Sequence, residues 1–284
     1  MRFWLAMLAF VFPCTAWPQS SIEICNDVFE SVATALISEA APTYQTPDLE
    51  NGTCRFFDLR IELDRITLTA ETLTFRVVGD VAAVLQRQQL FDGVEIKIHG
   101  LRYFARTGLG RFDYVYEAIA VANTGVEVKL SVTQSDGVVI LDPLQLDFDA
   151  MNSVKAAMRV TGVSTVPDLA SLAIEEFSVE VLTHGLFERT LLTFVADAIL
   201  GAGDDAWVAA ERWRERALTW VAALPSDRQT RRDLSRLVND MPNPTGRIVL
   251  RFGGALPVQE LVRWGTVGAP SFWADTTLRY TPQL

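Results

Sequence analysis

Residues 57–64 read FDLRIELD. Phe57, Leu59, Ile61 and Leu63 alternate with Asp58, Arg60, Glu62 and Asp64. Successive side chains of a strand point to opposite faces, so a period of two describes a strand with one apolar and one wet face. Strands of this kind belong to antiparallel sheets. The parallel strands of a nucleotide-binding βαβ fold are apolar on both faces.

The same pattern extends outward. ITLTAETLTFRVV (66–78) continues it, with a change of phase between Ala70 and Leu73 that predicts a bulge or turn. VEIKIHGLRYFAR (94–106) changes phase at Gly100. VEVKLSVTQ (126–134) and SVKAAMRVTG (153–162) alternate without a break. Ser135-Asp136-Gly137 supplies a turn after the first, Asp-Gly being a strong hairpin signal. LAIEEFSVEVLT (172–183) is a further strand.

Helical spacing appears elsewhere. In SIEICNDVFESVATALISEAAP (21–42), Val28, Val32, Ala35 and Leu36 share a face and Pro42 ends the run. DVAAVLQRQQLF (80–91) and FDYVYEAIAVANTG (112–125) are short helical insertions. An apolar helix runs from Gly185 to Leu200, and Asp204 and Asp205 open the next, which Pro225 stops. Ser226-Asp-Arg-Gln229 has the capping-box spacing and starts a third helix that reaches Asn239. RIVLRFGG (247–254), a brief helix PVQELVRWG (257–265) and a last strand FWADTTLRYT (272–281) come after it. The expected class is α+β: a curved, mostly antiparallel sheet of amphipathic strands with a helical block packed on its apolar face. One domain is expected over 21–284, strand-rich at 55–183, helical at 185–239, with returning strands at 245–280, because no linker-like composition separates the parts.

The first twenty residues have the layout of a secretory signal peptide. Arg2 precedes an apolar run from Phe3 to Phe12, Pro13 breaks it, and small or polar residues come next. The run is about half the ~20 residues that span a bilayer, so no transmembrane helix is expected after cleavage. Removing residues 1–20 takes Cys14 and leaves Cys25 and Cys54. Two cysteines in an oxidising compartment favour one disulfide over two separate buried thiols.

The formal charge is −10, and −11 once Arg2 is removed. An acidic chain repels phosphate backbones, so nucleic acid is excluded as a partner. The sequence shows no clustered basic patch to hold the protein on anionic headgroups. Hydrophobic residues make up 49% of the chain, ample for a core.

Few residues point to chemistry. His99 and His184 are the two histidines, and neither has a ligand-type neighbour at metal spacing, so no metal and no cofactor are expected. No G-x-S-x-G elbow is present, and Gly108-Leu-Gly110 lacks the rest of a dinucleotide loop. Asp147 and Asp149 share a strand face, a carboxylate pair fit for acid/base work or simply a wet face. Trp213, Ala217 and Trp220 lie on one helical face, and Trp264 and Trp273 stand near the end. Such aromatics fill a core or line a hydrophobic ligand site.

LQLDFDAMNSVKAAMRVTGV (144–163), followed by LASLAIEEFSVEVLTHGLFERTLL (169–192), resembles exported alphaproteobacterial envelope proteins that are distantly AsmA-like. The junction His184-Gly185-Leu186 stands where such strands lead into a helix. The resemblance covers 141–192, implies a periplasmic location near the membrane or its lipids, and carries over no catalytic residue. The expected protein is therefore non-catalytic and periplasmic, and binds a hydrophobic ligand such as a lipid or an envelope partner. A secreted hydrolase using Asp147 and Asp149, and a purely structural protein, are the alternatives.

Overall fold

The computed structural model describes residues 25–26, 29, 43–45, 47–50, 53–62, 66–79, 92–105, 114, 117–118, 125–164, 171–188, 205–260 and 270–283. The expected signal peptide, most of the first helix, the helical insertion 80–91, most of the insertion 112–125 and the apolar stretch 189–200 lie outside these residues; Tyr114, Glu117 and Ala118 of the second insertion are helical. The chain divides into two compact units, Met1–Phe148 with Thr161–Ser171, and Asp149–Val160 with Leu172–Leu284.

The first unit is built on a strand meander: β1 (Asp48–Glu50), β2 (Thr53–Glu62), β3 (Ile66–Val78), β4 (Gly93–Ala105), β5 (Val126–Ser135) and β6 (Val138–Asp149). Each of the first five pairs antiparallel with the next strand in sequence. Asp136 and Gly137, both at positive φ, make the two-residue turn between β5 and β6. That is the geometry whose twist matches a hairpin.

The core of this unit shows how the alternating pattern is used. Phe56 is 0% exposed and stacks on Phe75 at 5.8 Å, with Leu59, Ile61, Ala70 and Leu73 buried beside it. Burial on β2 steps from Phe56 to Leu59, and on β3 from Ala70 to Leu73. The phase change expected in β3 is therefore matched in β2, where Asp58 sits at φ 49°. The residue that enters the core ahead of this step is Phe56, and Phe57 is only half-buried. The second expected change is also present: the β4–β5 register shifts between Ile98 and Leu101, with Gly100 at φ 66°.

Cys25 and Cys54 are joined, with Cα atoms 5.7 Å apart and a sequence separation of 29. The bond ties Cys25 and Phe29 to the apolar side of β2, where Phe29 lies 4.6 Å from the Phe56 ring and 5.3 Å from Tyr44.

The second unit contains β7 (Asn152–Thr161), β8 (Ala173–His184), β9 (Thr245–Pro257) and β10 (Thr276–Pro282), neighbours in that order. Its described helices include α1 (Ala206–Ala223), α2 (Arg228–Asp240) and the short α3 (Pro270–Ala274); of the brief helix expected at 257–265, residues 258–260 are helical and 261–265 lie outside the described residues. Val221 and Leu224 of the α1 end, Leu234 and Val238 of α2, and Phe272 and Trp273 of α3 pack with Phe252, Leu256, Leu278 and Tyr280 of the strands.

The α+β expectation, with a helical block on the sheet face, is overturned. The described residues form a predominantly antiparallel β structure with a few short helices. A change of phase reads, in sequence, as a break between short elements. Backbone pairing runs straight through such changes, so β3 and β4 each extend over 13 residues. Two local readings also change. Asp227, not Ser226, caps α2, accepting from the Gln229 and Thr230 N–H groups. FWAD, expected to begin a strand, is helical through Ala274, and β10 starts at Thr276.

Thr230 of α2 is 0% exposed. Its hydroxyl donates to Asp227 Oδ2 and accepts the Leu278 N–H of β10 at 3.1 Å. The cap of the helix is thereby hydrogen-bonded to the strand beneath it.

Both links can be measured as stability. Replacing both cysteines (Cys25→Ala with Cys54→Ala) is expected to lower unfolding free energy by about 3–4 kcal/mol in the chain-entropy picture. Urea titration of the oxidised protein and the double variant reads this directly, and equal midpoints would refute it. Thr230→Val keeps the shape of the side chain and strands the Leu278 N–H, so a loss of about 1–3 kcal/mol is expected. A neutral result in the same titration would show that this link carries no stability.

Candidate functional site

The sequence singles out three places, and each has a definite position. Trp213 packs against the core of the second unit from α1. Trp220 meets Trp273 edge-on at 5.4 Å, and Trp273 meets Phe272 edge-on at 5.3 Å. Phe272 in turn stacks on Phe252 at 5.5 Å. Of the candidate ligand-lining tryptophans, Trp213 and Trp273 thus pack in the helix–strand core, and Trp220, 36% exposed, meets the Trp273 ring at its edge. Trp264 lies outside the described residues.

Asp147 on β6 accepts from Gln145 Nε2 at 2.6 Å. Asp149 accepts from the Met151 N–H at 2.8 Å, and its two oxygens accept from Asn152 Nδ2 at 2.9 and 2.8 Å. Asn152 is buried, and its Oδ1 accepts the His184 N–H at 2.6 Å while its Nδ2 also faces the His184 carbonyl at 3.3 Å. Asp149 therefore orients the amide that clasps β7 to β8. The adjacent His184 contributes its backbone to this clasp.

His99 stands at the β4 irregularity beside Gly100. Its Nε2 lies 3.2 Å from Glu71 Oε2 and its Nδ1 2.5 Å from Glu127 Oε1. Arg102 Nη2 donates to Glu71 Oε1 at 2.7 Å. This hydrogen bond and the guanidinium charge hold the Glu71 carboxyl below the usual carboxylate range. The two carboxylates take opposite ring nitrogens, so they do not converge on one ion. Among the described residues no group of three His, Cys, Asp or Glu is placed to hold a metal. The sequence shows the three residues separately. The pairing Thr72↔His99 across β3–β4 is what sets Glu71 near the ring.

Charge is also gathered where the sequence shows no patch. Along α2, Arg228, Arg232 and Arg236 are exposed at intervals of four, while Asp233 turns inward and accepts from Gln229 Nε2 at 3.0 Å. On α1, Val208, Arg212 and Arg216 form an exposed line at the same interval, beside Trp207. Arg214 pairs with Glu211 and donates to the Met241 carbonyl at 3.2 Å, and Arg231 donates to the Leu224 carbonyl at 3.1 Å. These contacts hold the two helices as a hairpin. The signal was available as two i, i+4 series, but each reads alone as an ordinary solvated helix face.

No family model matches the chain. The chain is similar to probable outer membrane protein pmp12 of Chlamydia pneumoniae, 25% identical over 182 residues, which is 60% of this chain. The match spans 34% of that protein's length. The disulfide and this similarity fit an exported envelope protein. Among the described residues no helix is long and apolar enough to cross a membrane.

Tyr280 gives this region a measurable titration. Its hydroxyl donates to Asp240 Oδ2 at 2.8 Å and lies 3.1 Å from the Thr245 carbonyl. Burial, with the bond to Asp240 and its charge, pushes the phenol up from 10.0 to about 12. The folded pKa is raised, so the stability it contributes is complete below pH 10 and is lost as pH rises through about 12. Urea midpoints measured between these values are expected to fall for the native protein and to fall less for Tyr280→Phe. Parallel slopes for the two proteins would contradict the assignment.

Proposed function

We propose that this is an exported periplasmic protein of the cell envelope that works by binding, its contact being a lipid or an envelope partner. The disulfide carries the reading. A bond between Cys25 and Cys54 persists in an oxidising compartment and is rare in a reducing one. The apolar run after Arg2 has the layout of an export signal, and the similarity to an outer membrane protein points the same way. Binding is favoured over chemistry because the candidate polar groups are committed to holding strands together. Asp149 orients Asn152, and His99 is laced between Glu71 and Glu127. Trp213 and Trp273 are committed to packing, which favours an external contact surface over an enclosed ligand site.

The test is fractionation of cells producing the full chain, with native mass spectrometry of the purified protein. Release by osmotic shock with the disulfide oxidised is expected, together with adducts of lipid mass or a co-purifying envelope protein. Retention in the cytoplasm with free thiols would overturn the reading of compartment. An exported protein that carries neither adduct nor partner would overturn the reading of binding.

A further inference from the structure

The solvent face of the α1–α2 hairpin departs from the rest of the chain. The whole chain carries −10, yet five exposed arginines lie on these two helices, Arg212 and Arg216 on α1 and Arg228, Arg232 and Arg236 on α2. Residues 205–240 carry seven arginines and six carboxylates, a net charge of +1. Asp205 and Asp227 cap the two helices, Asp233 is buried, and Glu211 is paired with Arg214. Glu215 is an exposed carboxylate among the α1 arginines, and Asp240, exposed at the α2 end, accepts from the Tyr280 hydroxyl. Arg228, Arg232 and Arg236 stand in one row about 12 Å long at 1.5 Å per residue. At the start of α1, Trp207 is 84% exposed and Val208 is 51% exposed.

We propose that this face docks on an anionic lipid bilayer. A row of guanidinium groups meets a planar array of phosphates with bidentate, charge-assisted hydrogen bonds. Tryptophan is suited to the headgroup layer, where its ring is apolar and its N–H is wet. Val208 continues into the line of Arg212 and Arg216, so apolar insertion and phosphate contact lie along the same helix. The acidic remainder of the molecule is repelled by the same membrane and turns this face toward it. A protein partner fits less well. A stable protein interface needs roughly 800 Å² on each side around a buried apolar centre, whereas here Trp207 and Val208 stand apart from the partly exposed Trp220 along a charged helix. This inference rests on the envelope reading and adds to it the surface and the contact chemistry.

The test uses the full chain and vesicle flotation. Phosphatidylcholine vesicles containing phosphatidylglycerol are compared with pure phosphatidylcholine vesicles at low and high salt. Binding to the anionic vesicles alone, weakened by salt, is expected. The combined variant Arg228→Gln, Arg232→Gln, Arg236→Gln is expected to reduce partition on the order of a hundredfold. Trp207→Ser is expected to weaken binding and to remove a blue shift of tryptophan emission on anionic vesicles. Circular dichroism and urea midpoints equal to those of the parent establish that the variants are folded. Equal binding to both vesicle types, or binding unchanged in the triple variant, would overturn the proposal. So would an absence of flotation with export intact, an outcome that leaves the envelope reading standing. Absence of flotation with a cross-link from a photoreactive residue in place of Arg232 to an acidic envelope protein would give the face to a protein partner instead.

Discussion

Hydrogen-bond pairing between strands adjacent in sequence is the constraint on which the rest of this structure depends. Every buried backbone N–H and C=O needs a partner. In the first unit, strands β1 to β6 meet that need by turning back on themselves. Each strand supplies the template for the next, so register passes along the chain. A one-residue slip at any turn would exchange the apolar and wet faces of every later strand in the meander. The Asp136-Gly137 turn, with both residues at positive φ, is therefore as much a determinant of the core as any apolar residue.

Both units protect strands that a meander would leave open, by different means. In the first, the short β1 pairs with β2, and the Cys25–Cys54 bond holds Phe29 against Phe56 and Tyr44. In the second, α2 lies on β10, and the Thr230 hydroxyl takes the Leu278 N–H that no strand receives. Asp227 caps the helix and accepts from that same hydroxyl. Those bonds from Thr230 and the Gln229 N–H hold the Asp227 carboxyl below the usual range. Helix start and strand protection are consequently one network. An exposed strand with unmet backbone groups invites pairing with another chain, and this network occupies one such group, the Leu278 N–H.

The functional picture comes from where polar groups are spent. Asn152, Asp149, His99, Glu71 and Glu127 lace strands together, which leaves the outer helical face as the place where charge and exposed aromatic surface coincide. Arginines 228, 232 and 236 are scattered among acidic residues in the sequence. Folding turns Asp233 inward and sets Asp227 at the cap, which leaves Arg228, Arg232 and Arg236 in one exposed row.

Alternation in FDLRIELD and its successors determined by itself that the chain makes antiparallel amphipathic strands, because a period of two has one geometric meaning. The Asp-Gly turn and the Gly100 irregularity were equally legible, since both rest on local backbone preference. Cys25 and Cys54 pointed to their own bond for chemical reasons of compartment. Tertiary structure alone decided how far each strand runs, because pairing with a neighbour carries the backbone through a change of phase that looks like an ending. It also decided that Phe56 rather than Phe57 enters the core, that FWAD belongs to a helix, and that Asp227 caps α2. Those outcomes depend on what lies opposite each residue. The arginine face has the same origin, as a surface charge is a sum over neighbours that folding selects.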